Sequence, residues 1–71
     1  MIINLIQSEQ SENVYINEGD LAPVNQINAA YNMLYEEQID LHNTNEGINI
    51  LVNLGDLVNI EDINNAYNKW E

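Results

Sequence analysis

Shifted by 36 positions, the chain lies on itself without a gap. Ile3 meets Ile39 and Leu5 meets Leu41. Asn13 meets Asn49 and Asn17 meets Asn53. Gly19-Asp20-Leu21 meets Gly55-Asp56-Leu57, Ile27-Asn28 meets Ile63-Asn64, and Ala30-Tyr31-Asn32 meets Ala66-Tyr67-Asn68. Twelve of the 35 pairs are identical, where chance would supply about two or three. Conservative pairs fill several gaps: Val14 with Ile50, Ile16 with Val52, Val24 with Ile60, Ser8 with Thr44. Residues 1–35 and 37–71 are therefore two copies of one unit, and any fold must accommodate the unit twice.

Within a copy, periodicity changes once. Residues 2–7 and 39–43 alternate apolar and polar, as a strand does. A polar turn follows, at 8–13 or 44–47, and then a β-branched run at 14–17 or 48–53. Gly19-Asp20 and Gly55-Asp56 end that strand. Beyond them the apolar spacing becomes helical: Leu21, Val24, Ile27, Tyr31 and Leu34, repeated as Leu57, Ile60, Ile63, Tyr67 and Trp70. Asp20 and either Asp56 or Asn59 are the expected helix caps, with Pro23 in the first turn of the first helix. Each helix is about 12 residues, too short to persist without a sheet beneath it.

The fold class predicted is α+β: a tandem ββα-ββα repeat forming a four-stranded antiparallel sheet with two helices on one face. Strand orders 2-1-3-4 and 1-2-4-3 both satisfy a pseudo-two-fold arrangement. The expected core is Ile3, Leu5, Val14, Ile16, Ile39, Leu41, Ile50 and Val52 with the two helical stripes. Alternation then sends Ile2, Asn4, Ile6, Tyr15, Asp40, His42, Asn49 and Leu51 to the open sheet face. Among these, Ile2, Ile6, Tyr15 and Leu51 form a candidate apolar interface.

At 71 residues the chain is one domain, 1–71. A chain of this length buries about 60% of its extended surface. It has no cysteine, so apolar packing or self-association must stabilise it. A basic leader and a long apolar run are both lacking, so neither signal peptide nor membrane span is expected, and the cytoplasm is the expected compartment.

Charge is the outlier: twelve acids face Lys69 alone, for a formal −11. Such a field repels nucleic acid and anionic lipid and attracts basic surfaces. Fourteen asparagines are a second peculiarity. Asn28/Asn32 and Asn64/Asn68 recur one helical turn apart on the border of the stripe, where they are expected to bond loop backbone or flank the sheet.

Chemistry is scarce. His42 is the single histidine and has no nucleophile at a suggestive spacing. Ser8, Ser11 and Thr44 fall in turns, where hydroxyls support hairpins. Glu36-Glu37 and Glu61-Asp62 are adjacent carboxylates, which diverge on a helix and suit paired acid–base work poorly. The repeated N-x-G-D-L run has superficial calcium-loop character, but Leu21, Val58 and Ile60 occupy positions that need oxygen ligands. No catalytic residue, cofactor or metal site is therefore assigned, and no phosphate loop or basic patch supports direct nucleic-acid binding.

In size, acidity and lack of catalytic residues the chain resembles the small phage-encoded anti-CRISPR and anti-restriction proteins. That resemblance implies an acidic inhibitor, not an enzyme. Its carboxylates would stand in for phosphates on a nuclease or another nucleic-acid-binding protein of a host cell. The expected contacts are Glu9, Glu12, Glu18, Glu36, Glu37, Asp40, Glu46, Glu61 and Asp62. The alternative expectation is a protein–protein interaction module without mimicry, or a homodimer through the open sheet face or a sheet edge.

Overall fold

The computed structural model describes residues 1–70. Each copy is a hairpin followed by a helix: β1 (Leu5–Gln7), β2 (Val14–Asn17) and α1 (Val24–Leu34), then β3 (Leu41–Thr44), β4 (Gly47–Asn53) and α2 (Ile60–Trp70). The four strands form one antiparallel sheet in the order β1-β2-β4-β3, the second of the two orders the repeat allowed. The copies therefore join along their second strands, and β1 and β3 lie at the edges.

Register at the junction reveals the symmetry. Tyr15 pairs with Leu51, flanked by Val14 with Val52 and Ile16 with Ile50. Tyr15 and Leu51 are equivalent positions in the two copies, so a pseudo-two-fold axis passes between them. Turning the molecule about this axis exchanges β1 with β3 and α1 with α2.

The helices cross over. α1 lies against β3 and α2 against β1, so each helix covers the edge strand of the other copy. Asn28 bonds Leu41 and Asn32 bonds Ile39, so α1 runs opposite to β3. Asn64 and Asn68 do the same at Leu5 and Ile3 for α2 and β1. Since β1 and β3 are themselves opposed, the two helices are antiparallel. Ala30 and Ala66, buried at equivalent positions, let them approach.

The core under the helices comprises Ile3, Leu5, Tyr15, Ile27, Ala30, Tyr31, Ile39, Leu41, Leu51, Ile63, Ala66 and Tyr67. Here the sequence expectation needs correcting. Tyr15 and Leu51 are 1% and 2% exposed, so neither belongs to an apolar interface on the open face. Val14, Ile16, Ile50 and Val52 are half-buried on the opposite side. The cause lies one residue further on. Asn17 and Asn53 look like solvent residues but are themselves buried, and alternation turns Tyr15 and Leu51 inward with them.

Those two asparagines serve the chain as loop clips. Asn17 Oδ1 accepts from the N–H groups of Asn4 and Gly19, and its Nδ2 donates to the Asp20 carbonyl. Asn53 repeats all three bonds with Asp40, Gly55 and Asp56. Gly19 and Gly55 follow because the loop presses on the edge strand. A Cβ at Gly19 would sit 2.6 Å from the Ile2 carbonyl oxygen, and one at Gly55 2.9 Å from the Asp40 nitrogen.

One helix cap differs from expectation and the other is among those expected. Asp20 does not cap α1: its carboxylate accepts from the Ile2 N–H, and Pro23 occupies the N-cap position without a side-chain bond. Asn59 is the acceptor at the start of α2, taking the Glu61 N–H at 2.8 Å. The stripe ends Leu21, Leu34, Leu57 and Trp70 remain exposed.

Candidate interaction surfaces

Ten of the eleven described acids are exposed, and Asp62 is half-buried. Glu9 and Glu12 stand in the β1–β2 loop and Glu46 in the β3–β4 turn. Glu18 and Asp40 continue the ladder at opposite ends of the sheet, bonded through Glu18 N–H to Asn4 and Leu54 N–H to Asp40. Each alternates with buried neighbours and so faces the open side. Glu36 and Glu37 lie in the link between the copies, and Glu61 and Asp62 in the first turn of α2, where the helix dipole favours them. The candidate acids are thus distributed over several sides of the molecule and do not converge on one cleft.

The open sheet face has an apolar centre. Ile6 pairs with Ile16, Ile16 with Ile50, and Val14 with Val52. These five side chains are half-buried, and Ile2, Ile48 and Leu54 around them are well exposed. Of the sequence-predicted apolar interface, Ile2 and Ile6 therefore remain on the surface. Val14, Ile16, Ile50 and Val52 are the residues that sequence reasoning misplaced. The signal that would have found them is the buried role of Asn17 and Asn53.

His42 lies on this face, half-exposed, with Nε2 3.1 Å from the Asp40 carboxylate. That is a surface contact between two exposed side chains. Among the described residues no three histidine or acidic side chains converge as metal ligands. The asparagines of the N-x-G-D-L runs point at backbone, as loop clips. A surface depression of about 680 Å³ is lined by Asn28, Asn32, Glu36, Asp40 and Asp56 among others. Both asparagine amides there are committed to the backbone of Leu41 and Ile39.

Tyr31 is buried beneath the helices, and desolvation raises its pKa above the usual 10, with Glu37, Asp62 and Tyr35 adding in the same direction. This places Glu37 and Asp62 at the same end of the helix pair.

Comparison with protein-family models, with curated proteins and with solved structures returned no match to this chain. Among the described residues no helix is long and apolar enough to cross a membrane.

Proposed function

We propose that this protein is a small acidic binder that inhibits a nucleic-acid-binding protein by occupying its positively charged surface. The observation that carries this is the exposure of ten carboxylates on a small rigid frame. Only Lys69 opposes them among lysines and arginines. Charges set in short loops, just beyond strand ends and in the first turn of α2 lose less freedom on binding than charges on an unfolded tail, so they can act as an array. The partner is a basic protein, such as a nuclease, and the contact acids are Glu9, Glu12, Glu18, Glu36, Glu37, Asp40 and Glu46, joined by Glu61 and, less fully, Asp62.

The mechanism is displacement. A polyanion bound in a basic groove releases counterions, and an acidic protein that fills the groove competes for the same cations. No bond is made or broken, so the chain needs neither nucleophile nor cofactor.

The test is retention of lysate proteins on the immobilised chain at about 50 mM and about 500 mM salt, where the screening length shrinks from roughly 14 to roughly 4 Å. Nucleic-acid-binding proteins should be retained at low salt and released by high salt or by excess duplex DNA. Retained proteins that resist both treatments would show that charge is not the basis of binding.

A further inference from the structure

The helix layer is chemically unlike the rest of the molecule. α1 contains no charged residue, and α2 contains only Glu61, Asp62 and Lys69. Among the described residues nine acids and no lysine or arginine therefore lie outside the helices. The helix layer also displays large apolar side chains. Met33 is 76% exposed, Leu34 60% and Trp70 44%. With Lys69 they border a groove between the helices whose floor is Ala30 and Ala66. Leu34 and Trp70 are equivalent positions in the two copies, as are Met33 and Lys69, so the groove shares the pseudo-symmetry of the sheet.

We propose that this groove is the contact face of a homodimer in which two helix layers pack together. Charge selects a second copy as the occupant. A basic partner is drawn to the nine described acids elsewhere, and Lys69 repels it here. A second copy also carries −11 and meets least repulsion through this nearly neutral layer. Lys69 of one copy then approaches a layer whose other charges are Glu61 and Asp62.

Area agrees with a modest interface. Met33, Leu34, Trp70 and the groove rim offer on the order of 500 Å² per copy, or roughly 1,000 Å² in total, the lower end of specific interfaces. Sheet edges are closed at their leading ends, because helix asparagines already hold the outer N–H and C=O groups of Ile3, Leu5, Ile39 and Leu41. Packing helix to helix leaves both open sheet faces and the acids of the loops outward, so the dimer presents two sets of carboxylates to basic partners and gains avidity against a repeated target.

Analytical ultracentrifugation of the full chain from about 1 μM to about 1 mM tests this. The expected result is a monomer–dimer equilibrium that tightens with salt, as mutual repulsion is screened. Trp70 is the only tryptophan, so its emission should shift to the blue over the same concentration range. Met33→Asp with Leu34→Glu changes two exposed side chains; it should keep the far-ultraviolet circular dichroism and weaken the dimer about tenfold or more. A chain monomeric throughout, or a dimer unmoved by this double change, overturns the proposal. Binding of basic proteins by the monomeric variant is measured separately and stands or falls independently.

Discussion

Tyr15 and Leu51 face each other across β2 and β4 at equivalent positions of the two copies, both buried beneath the helices. The pair sits on the pseudo-two-fold axis, where one residue of each copy must share a single space. A large ring opposite a smaller branched chain fills it.

The first prediction concerns that asymmetry. Tyr15→Leu removes ring volume from the middle of the core and should cost about 2–3 kcal/mol. Leu51→Tyr overfills the same space and should cost about 1–3 kcal/mol. Exchanging the two residues keeps the volume and should recover most of the loss. Urea denaturation of the three variants decides this: an exchange as damaging as the worse single change would mean that the two sites do not share space.

Asparagine clips should matter more than their exposed neighbours. Asn64 accepts the Leu5 N–H and donates to the Leu5 carbonyl, acting as a substitute strand. Asn64→Ala leaves both groups partly buried without that partner and should cost about 2–3 kcal/mol. Total stability for this length is about 4–10 kcal/mol, so a large share would go. Asn64→Asp should be no better, since it removes the donor and sets a charge beside a carbonyl. Opening the edge also invites strand pairing between chains. Light scattering of the Ala variant should therefore rise with concentration, whereas Asn65→Ala, at an exposed helix position, should behave as the parent.

Gly19→Ala should destabilise more than its exposure suggests. The added methyl meets the backbone of residues 2–4, which cannot move aside as a flexible side chain would. The expected loss is about 2 kcal/mol or more, and Gly55→Ala should lose somewhat less because its nearest contacts are 2.9 Å. Thermal melts compare the two. Equal stability of Gly19→Ala and the parent would remove the close approach of loop and edge strand.

Alkaline pH should loosen the fold through Tyr31. Its folded pKa lies above the usual 10 because burial disfavours the phenolate, and Glu37, Asp62 and Tyr35 add to this. The folded state therefore holds this proton more tightly than the unfolded state. Stability linked to Tyr31 is fully present below pH 10 and is lost as pH rises through the folded pKa. In Tyr31→Phe the fall in melting temperature above pH 10 should be shallower than in the parent. Identical pH profiles would exclude Tyr31 as the linked group.

Charge reversal addresses the proposed function. Glu18→Lys, Asp40→Lys and Glu46→Lys together change three exposed sites on the sheet side. At about 1 kcal/mol or more per lost pair, affinity for a basic partner should fall well over tenfold. Glu61→Lys, on the helix layer, should have a smaller effect on that binding. Calorimetry with a retained partner gives both values, and unchanged affinity in the triple variant would reject the carboxylate array.

The duplication, the strand–strand–helix order and the number of layers were legible in the amino-acid sequence, because repetition and the change from two-residue to helical periodicity are local properties. The exposure of eight of the nine acids named from the sequence was legible too, since a lone carboxylate is costly to bury; Asp62 is half-buried. The orientation of β2 and β4 was not. Local alternation assigned Val14, Ile16, Ile50 and Val52 to the core because Asn17 and Asn53 looked polar. Only the folded chain shows that both asparagines are buried to satisfy backbone from the edge strand. The crossover of each helix onto the other copy was equally hidden, because the sequence holds both halves of every asparagine clip without saying which halves meet. Periodicity along the chain sets which elements form. Backbone hydrogen bonds that close only between distant segments decide which faces turn inward and which copy covers which.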